Sequence, residues 1–256
     1  MVLTPDDIVQ LLQVYLWPFL RVSAMMLAAP IFSASYFSVR TRIILGLAVA
    51  VLTVPLLPAK IAVDPLSAAG LLLAVRELLV GLAMGFVMQL VFGAVVVAGH
   101  SIAMSMGLGF AMSVDPQNGV QVPVVSQLNV VLATLLFLAI DGHLLLLAAV
   151  VESFSVLPIG SFANPEGMFA SVVALGSQLF ATALLLGLPT LTSILMINVA
   201  FGVITRAAPQ LNIFAVGFPV TIIAGFLFMF LALPAFLAAM QRFLSLGLEQ
   251  TLLILG

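Results

Sequence analysis

No Asp, Glu, Lys or Arg lies between Glu77 and Asp115, between Glu166 and Arg206, or between Arg206 and Arg242. A helix needs only about 20 apolar residues to cross a bilayer core of about 30 Å. Each tract is long enough for one crossing with residues to spare, or for a tight hairpin. A soluble domain carries about 25% charged residues. This chain of 256 residues is 6% charged and 64% hydrophobic. It cannot cover a globular surface with polar side chains, which argues against a soluble enzyme, a nucleic-acid binder and a disordered scaffold. Its surface must face lipid or other apolar chains.

The rest of the composition closes off chemistry. Cysteine is absent, so disulfides, thiolate metal sites and Cys nucleophiles are excluded. The two histidines, His100 and His143, are far apart and lack a carboxylate at ligand spacing, so no metal site is expected. No G-x-S-x-G, P-loop or HExxH occurs, and no pair of intramembrane aspartates. Gly107-x-Gly109 is followed by Met112 where a nucleotide fingerprint needs glycine. Neither an enzyme nor a cofactor is expected, and a net charge of −2 implies no attraction to an acidic partner. The N-terminus has no basic region, so no cleaved secretory signal is expected. Thr4, Pro5, Asp6 and Asp7 read instead as N-cap, first helical residue and acidic first turn. The first helix is expected to belong to the mature protein.

The apolar segments are Ile8–Phe32, Ile43–Leu57, Leu66–Met112, Val124–Ile140, Met168–Thr205 and Phe214–Phe243. Pro55 and Pro58 end the second. Ser113–Gly119 ends the third, and Asp141-Gly142-His143 is a short break before Leu144–Val151. Leu157–Gly167 is the longest polar linker, and Ala207–Gln210 separates the last two segments. No internal repeat stands out. The predicted fold is all-α and polytopic, because lipid leaves a chain no other partner for its backbone groups. The alternation of a membrane barrel is absent.

Two features sit badly with an ordinary polytopic protein. As one helix, Leu66–Met112 would be about 70 Å long at about 1.5 Å per residue, so it must bend back or extend beyond the membrane. With six spans, Arg40, Arg42 and Arg206 would face one side and Lys60 and Arg242 the other, with Arg21 and Arg76 inside helices. That division hardly specifies an orientation. Either six is the wrong count, or the final position depends on partner subunits rather than lipid.

Several motifs admit both a structural and a functional reading. Gly81, Gly85 and Gly93 form one small-residue stripe, and Gly99, Ala103, Gly107 and Ala111 another. Such stripes let helices approach closely, as packing or as a sliding surface. Arg76 and Glu77 are charges in an apolar helix and need partners. An ion pair, a subunit contact and ion coupling are all open, and Arg21, equally ambiguous, is a candidate partner of Glu77. Met104, Met106, Gly107, Leu108, Gly109, Phe110, Ala111 and Met112 combine flexible methionines, two glycines and one aromatic. They suit a gate that closes by packing and dewetting, or a frayed helix end in a core. Asp141-Gly142-His143 fits a polar turn or a proton relay. Asn198 and Gln178 suit interhelical hydrogen bonds. Arg206 and Gln210, in a polar break, suit a hairpin turn or a subunit contact.

The stretch Arg206-Ala207-Ala208-Pro209-Gln210-Leu211-Asn212-Ile213-Phe214-Ala215-Val216-Gly217-Phe218-Pro219 resembles the signature of the FliR family of flagellar type III export-gate subunits, related to the T subunits of virulence secretion systems. Other pieces agree in order: Trp17-Pro18-Phe19-Leu20-Arg21-Val22-Ser23-Ala24, Pro30, Arg40-x-Arg42, Arg76-Glu77-Leu78 with Gly81 and Gly85, Gly107-Leu108-Gly109 through Asp115-Pro116, Gly142-His143 and Asn198. The resemblance covers nearly the whole chain, and Gly217-Phe218-Pro219 looks more flagellar than injectisome-like.

The resemblance implies a structural, pore-forming subunit built from long kinked helical hairpins. A FliP-like part, about 1–165, is followed by a FliQ-like part, about 166–256. The implied partners are FliP and FliQ in one hetero-oligomer, FlhB, FlhA, membrane lipid and unfolded rod, hook and filament proteins, with no nucleic acid. The implied place is the bacterial inner membrane at the flagellar basal body. A loop mapping onto about Gly107–Val114 would plug the closed channel beside a methionine ring supplied by FliP, with Phe110 as its aromatic. Arg206, Gln210 and Asn212, at the polar break, are candidate subunit contacts. The competing reading is a secondary transporter of small solutes using Arg76, Glu77 and Asp141 as coupling groups. An intramembrane enzyme lacks a residue set to carry it.

Overall fold

Pro5 opens the first helix, α1 (Pro5–Ala28), where its missing N–H costs nothing. The computed structural model describes residues 5–57, 63–109, 123–161, 165–208 and 213–255. Over these it is built from α-helices: α2 (Val39–Thr53), α3 (Ala68–Ser105), α4 (Val124–Ala139), α5 (Gly142–Val156), α6 (Pro165–Ala207) and α7 (Ile213–Leu253) follow α1. Four of them, or α2 with the 3-10 turn after it, are long and apolar enough to cross a membrane: Val39–Leu56, α3, α6 and α7. The broken pair α4 and α5 would make a fifth. The all-α, membrane-type expectation is met.

Several boundaries differ from the apolar segments for local reasons. α2 starts before Ile43 because the Ser38 hydroxyl caps it, accepting the Thr41 N–H at 3.1 Å. Arg40 and Arg42 therefore lie in its first turn, where a cation opposes the helix dipole. Arg42 turns back instead, its Nη2 donating to the Ser33 and Ala34 carbonyls at 2.8 Å each. Ser67 caps α3 in the same way, its hydroxyl accepting from the Gly70 N–H at 3.0 Å. α3 is a single helix, about 57 Å long at about 1.5 Å per residue, so it does not fold back on itself. α7 runs to Leu253, ten residues past the last apolar tract, since Leu244, Leu246, Leu248, Glu249 and Gln250 are good helix formers and carry it on. Pro189 and Pro234 sit inside α6 and α7. Just after the first, the Thr192 and Ser193 hydroxyls donate back to the carbonyls of Leu188 and Pro189, four residues earlier in the same helix.

The chain forms two compact units. The first takes residues 1–90, 140–176 and 244–256. Its core includes Trp17, Met25, Met26, Met84, Met88, Leu146 and Phe154. α1 meets α3 at Gly81 and Gly85, where backbone touches backbone. A Cβ at Gly81 would collide with the Arg21 carbonyl, and one at Gly85 would lie 2.6 Å from the Met25 carbonyl oxygen. Close packing is thus the role these glycines have here. α1 also packs on α2.

The second unit takes residues 91–139 and 177–243. The end of α3 packs on α4 through Gly99, where a Cβ would lie 2.5 Å from the Ser126 Cα. The Ser126 hydroxyl donates to the Val96 carbonyl at 3.1 Å, and Phe92 meets Phe137 edge-on at 6.0 Å. Ile102, Ala103, Met106, Val125 and Ile194 form a buried cluster, with Leu108, Leu191, Ile222 and Met229 against it. Outside this core the middle of α7 leaves Ile223, Leu227, Phe230 and Leu231 exposed, whereas Met240, Leu244 and Thr251 further along it are completely buried.

Candidate functional site

The first polar cluster lies in the first unit. A lone arginine in an apolar helix must find acceptors or leave the interior. Arg21, on α1, is completely buried, as is Glu77 on α3. Its Nε donates to Glu77 Oε2 at 2.6 Å. Nη1 donates to the Ser153 carbonyl at 3.0 Å and the Ser153 hydroxyl at 3.1 Å, and Nη2 to the Leu157 carbonyl at 3.0 Å. The guanidinium also stacks 4.1 Å above the centre of the Phe154 ring. The Leu157 carbonyl is one that the end of α5 leaves without a helical partner, while the Ser153 carbonyl also accepts the Leu157 N–H at 2.8 Å. One side chain therefore ties α1 to α3 by charge and closes the C-terminus of α5. Arg76, next to Glu77, is half-buried. Asp141 begins α5 in a left-handed conformation, φ 55°; it is exposed, and His143 is half-buried.

The second cluster lies in the second unit, where α3 stops. Gly107 has φ 83°, which L side chains adopt only under strain. The Leu108 N–H bonds the Ala103 carbonyl at 3.0 Å, and the Gly107 N–H bonds the Met104 carbonyl at 3.1 Å. This is the Schellman pattern of a glycine-terminated helix. The remaining carbonyls are met from neighbouring helices. Asn198 of α6 donates to the Ser105 carbonyl at 3.5 Å, and the Thr221 hydroxyl of α7 approaches the Met106 carbonyl at 3.3 Å. Met106 is completely buried and fills a notch at Gly225, where a Cβ would lie 2.6 Å from its Cγ. The Phe218 ring covers Gly107, 3.0 Å from where a Cβ would stand. Met104 points outward and is 53% exposed.

Among the sequence candidates, the structure thus brings together Arg21 and Glu77 in one cluster, and Met106, Gly107 and Leu108 in another. Gly109 lies against the Met104 side chain. Arg206 is exposed in the last turn of α6, where a cation suits the helix dipole. Phe110, Ala111, Met112, Gln210 and Asn212 lie outside the described residues. Among the described residues no three His, Cys, Asp or Glu side chains gather to hold a metal.

Sequence reasoning missed Ser153, Phe154 and Leu157 as partners of Arg21, and Thr221 and Gly225 as the seat of Met106. Ser153 and Thr221 look like ordinary small polar residues in apolar helices. Gly225, an isolated glycine inside a long apolar tract, was the available signal, since such a glycine marks a close approach.

A family model for bacterial export proteins, family 1, matches residues 12–246. The flagellar biosynthetic protein FliR of Escherichia coli K12 is 39% identical over 231 residues, covering 90% of this chain and 88% of its own length. FliR of Pectobacterium carotovorum is also 39% identical over 231 residues, covering 89% and 87%. FliR of Bacillus subtilis 168 is 29% identical over 249 residues, covering 95% of each chain. With a match that runs almost from end to end, and with these flagellar relatives, the chain belongs to family 1 of the bacterial export proteins, in its FliR group.

Proposed function

We propose that the chain is the pore-forming, plug-bearing subunit of the flagellar type III protein export gate. In this reading it assembles with FliP and FliQ, is joined by FlhB, and works with FlhA in the bacterial inner membrane at the basal body. Unfolded rod, hook and filament proteins pass through the channel. Residues 1–165 act as the FliP-like part and 166–256 as the FliQ-like part, which fits the two long consecutive helices α6 and α7.

The observation that carries the reading is how α3 ends. The helix stops at a glycine cap whose carbonyls are taken by Asn198 and Thr221. The segment that follows therefore starts from a fixed point instead of a frayed end. A plug needs that property, because a flexible loop closes a channel only if its root does not drift. Leu108 packs against the buried cluster, and Phe110, Ala111 and Met112 follow as the aromatic and adaptable apolar groups that would exclude water.

The test is permeability. Phe110→Ala, or deletion of 108–112, should leave the purified complex intact and make the membrane leaky to ions and small molecules. Unchanged permeability in an assembled gate would remove the plug assignment. A carrier that used Arg76, Glu77 and Asp141 for coupling would need Glu77 to let go of Arg21. Substrate-dependent proton flux by the chain purified alone would favour that reading instead.

A further inference from the structure

The second unit contains a cavity of about 360 Å³. Asn129 and Leu132 of α4, Leu186 of α6, and Phe226, Phe230 and Ala232 of α7 are among its walls. It runs inward from the surface, since Phe230 is 73% exposed whereas Asn129 is 3% exposed. Its walls are mostly apolar; Thr190 and Asn129 are the polar residues among them, and Asn129 is out of keeping. The Asn129 amide nitrogen is buried and has no hydrogen-bond partner among the described residues. Leaving such a donor unmet costs about 1–3 kcal/mol, so a buried amide at a cavity wall signals an occupant that supplies an acceptor.

We propose that this cavity holds the acyl chain of a membrane ester lipid, with the ester carbonyl accepting the Asn129 N–H. The chemistry selects this occupant over the alternatives. A partner's transmembrane helix has its backbone groups bonded internally, and apolar side chains bring no acceptor. A water, or a partner's Ser or Gln side chain, brings donors of its own into walls that are mostly hydrocarbon. An ester carbonyl is acceptor only and arrives joined to a hydrocarbon chain, which matches one unmet donor in a mostly apolar cavity. The cavity also opens beside Phe230 of α7, which is largely exposed, so lipid can reach it from the side. The site is separate from the α3 terminus and does not rest on the plug reading.

The complex, purified in mild detergent, would be reconstituted into vesicles of phosphatidylethanolamine and phosphatidylglycerol doped with a diester lipid bearing a mid-chain diazirine. After illumination, labelled peptides are mapped. Label should concentrate on residues 128–132 and 226–236. Unlabelled diester lipid should compete, and a diether lipid of the same chain length should compete roughly five-fold less well, as expected for one lost hydrogen bond. Asn129→Leu should erase the difference between diester and diether. Ala232→Phe, which fills the cavity, should cut labelling several-fold. If Ala232→Phe prevents assembly, Asn129→Leu alone decides. Even labelling across the exposed faces of α2 and α7 would overturn the proposal. So would equal competition by both lipids, or a cysteine at Leu132 cross-linking to another subunit in place of lipid labelling.

Discussion

Replacing Arg21 by methionine removes the charge while keeping much of the side chain's volume. Glu77 is then a completely buried carboxylate without the ion pair it made to Arg21. Breaking a buried pair from one side costs about 3–5 kcal/mol. The Ser153 and Leu157 carbonyls also lose Arg21 as a donor, at about 1–3 kcal/mol for each group left unmet. Ser153 keeps the Leu157 N–H at 2.8 Å, so only the Leu157 carbonyl bears the full loss. The single variant should therefore lose at least about 4 kcal/mol, the sum of the lower figures. Glu77→Met strands the guanidinium instead. It should cost somewhat less, because three of Arg21's four hydrogen bonds survive. The double variant Arg21→Met/Glu77→Met leaves no unpaired charge, and apolar replacement of buried pairs is often tolerated. Only the Leu157 carbonyl should remain unmet. The assay is thermal unfolding of the complex in mild detergent, with yield of assembled complex as a second readout. Each single variant should lower the midpoint by several degrees or fail to assemble, and the double should recover most of the loss. A double variant as damaged as the sum of the singles would refute the coupling. Singles indistinguishable from the parent would refute the burial argument itself.

Gly81→Val should abolish stable packing of α1 on α3, because its Cβ collides with the Arg21 backbone carbonyl; overpacking of this kind costs about 1–3 kcal/mol or more, read as lost complex yield. Gly107→Ala should cost about 1 kcal/mol or more through its positive φ and should raise leak more than it lowers yield, measured in the same permeability assay as Phe110→Ala. Arg206→Ala forfeits only about 0.3–1 kcal/mol of helix-end electrostatics. A large loss of assembled complex with unchanged permeability would therefore report a subunit contact, and altered flux at normal yield would place Arg206 at the pore.

The helices were legible because lipid-scale apolar tracts leave a chain one solution. Charge spacing located both ends of α6 and the starts of α3 and α7 to within a few residues, though not the far ends of α3 and α7. Ends were harder to read. Ser38 and Ser67 set the starts of α2 and α3 through single hydroxyls, and any serine near an apolar run looks alike in sequence. Arg21 and Glu77 stood out because charge is rare here. Their partners did not, because two of Arg21's acceptors are backbone carbonyls, which every residue carries. Gly107 could be suspected of leaving the helix. That Thr221 and Gly225 would receive the end depends on the register between α3 and α7, which no local pattern encodes.

The two polar clusters solve one problem. A helix end inside an apolar protein leaves carbonyls that water cannot reach. α5 ends on Arg21 of α1, and α3 ends on Asn198 of α6 and Thr221 of α7. In both places a side chain from a helix that continues past the site closes one that stops. The position of the break is then set by tertiary contact more than by the local sequence. A variant such as Thr221→Val can therefore alter where α3 ends without touching α3. The Thr221 hydroxyl shares its proton between the Met106 carbonyl at 3.3 Å and the Phe218 carbonyl at 3.0 Å, so removing it is worth about 1 kcal/mol, too little to unfold the unit. It is enough to let the last turn fray and to move the start of the segment beyond Gly109. A stability-neutral variant with a changed permeability is the signature this arrangement predicts.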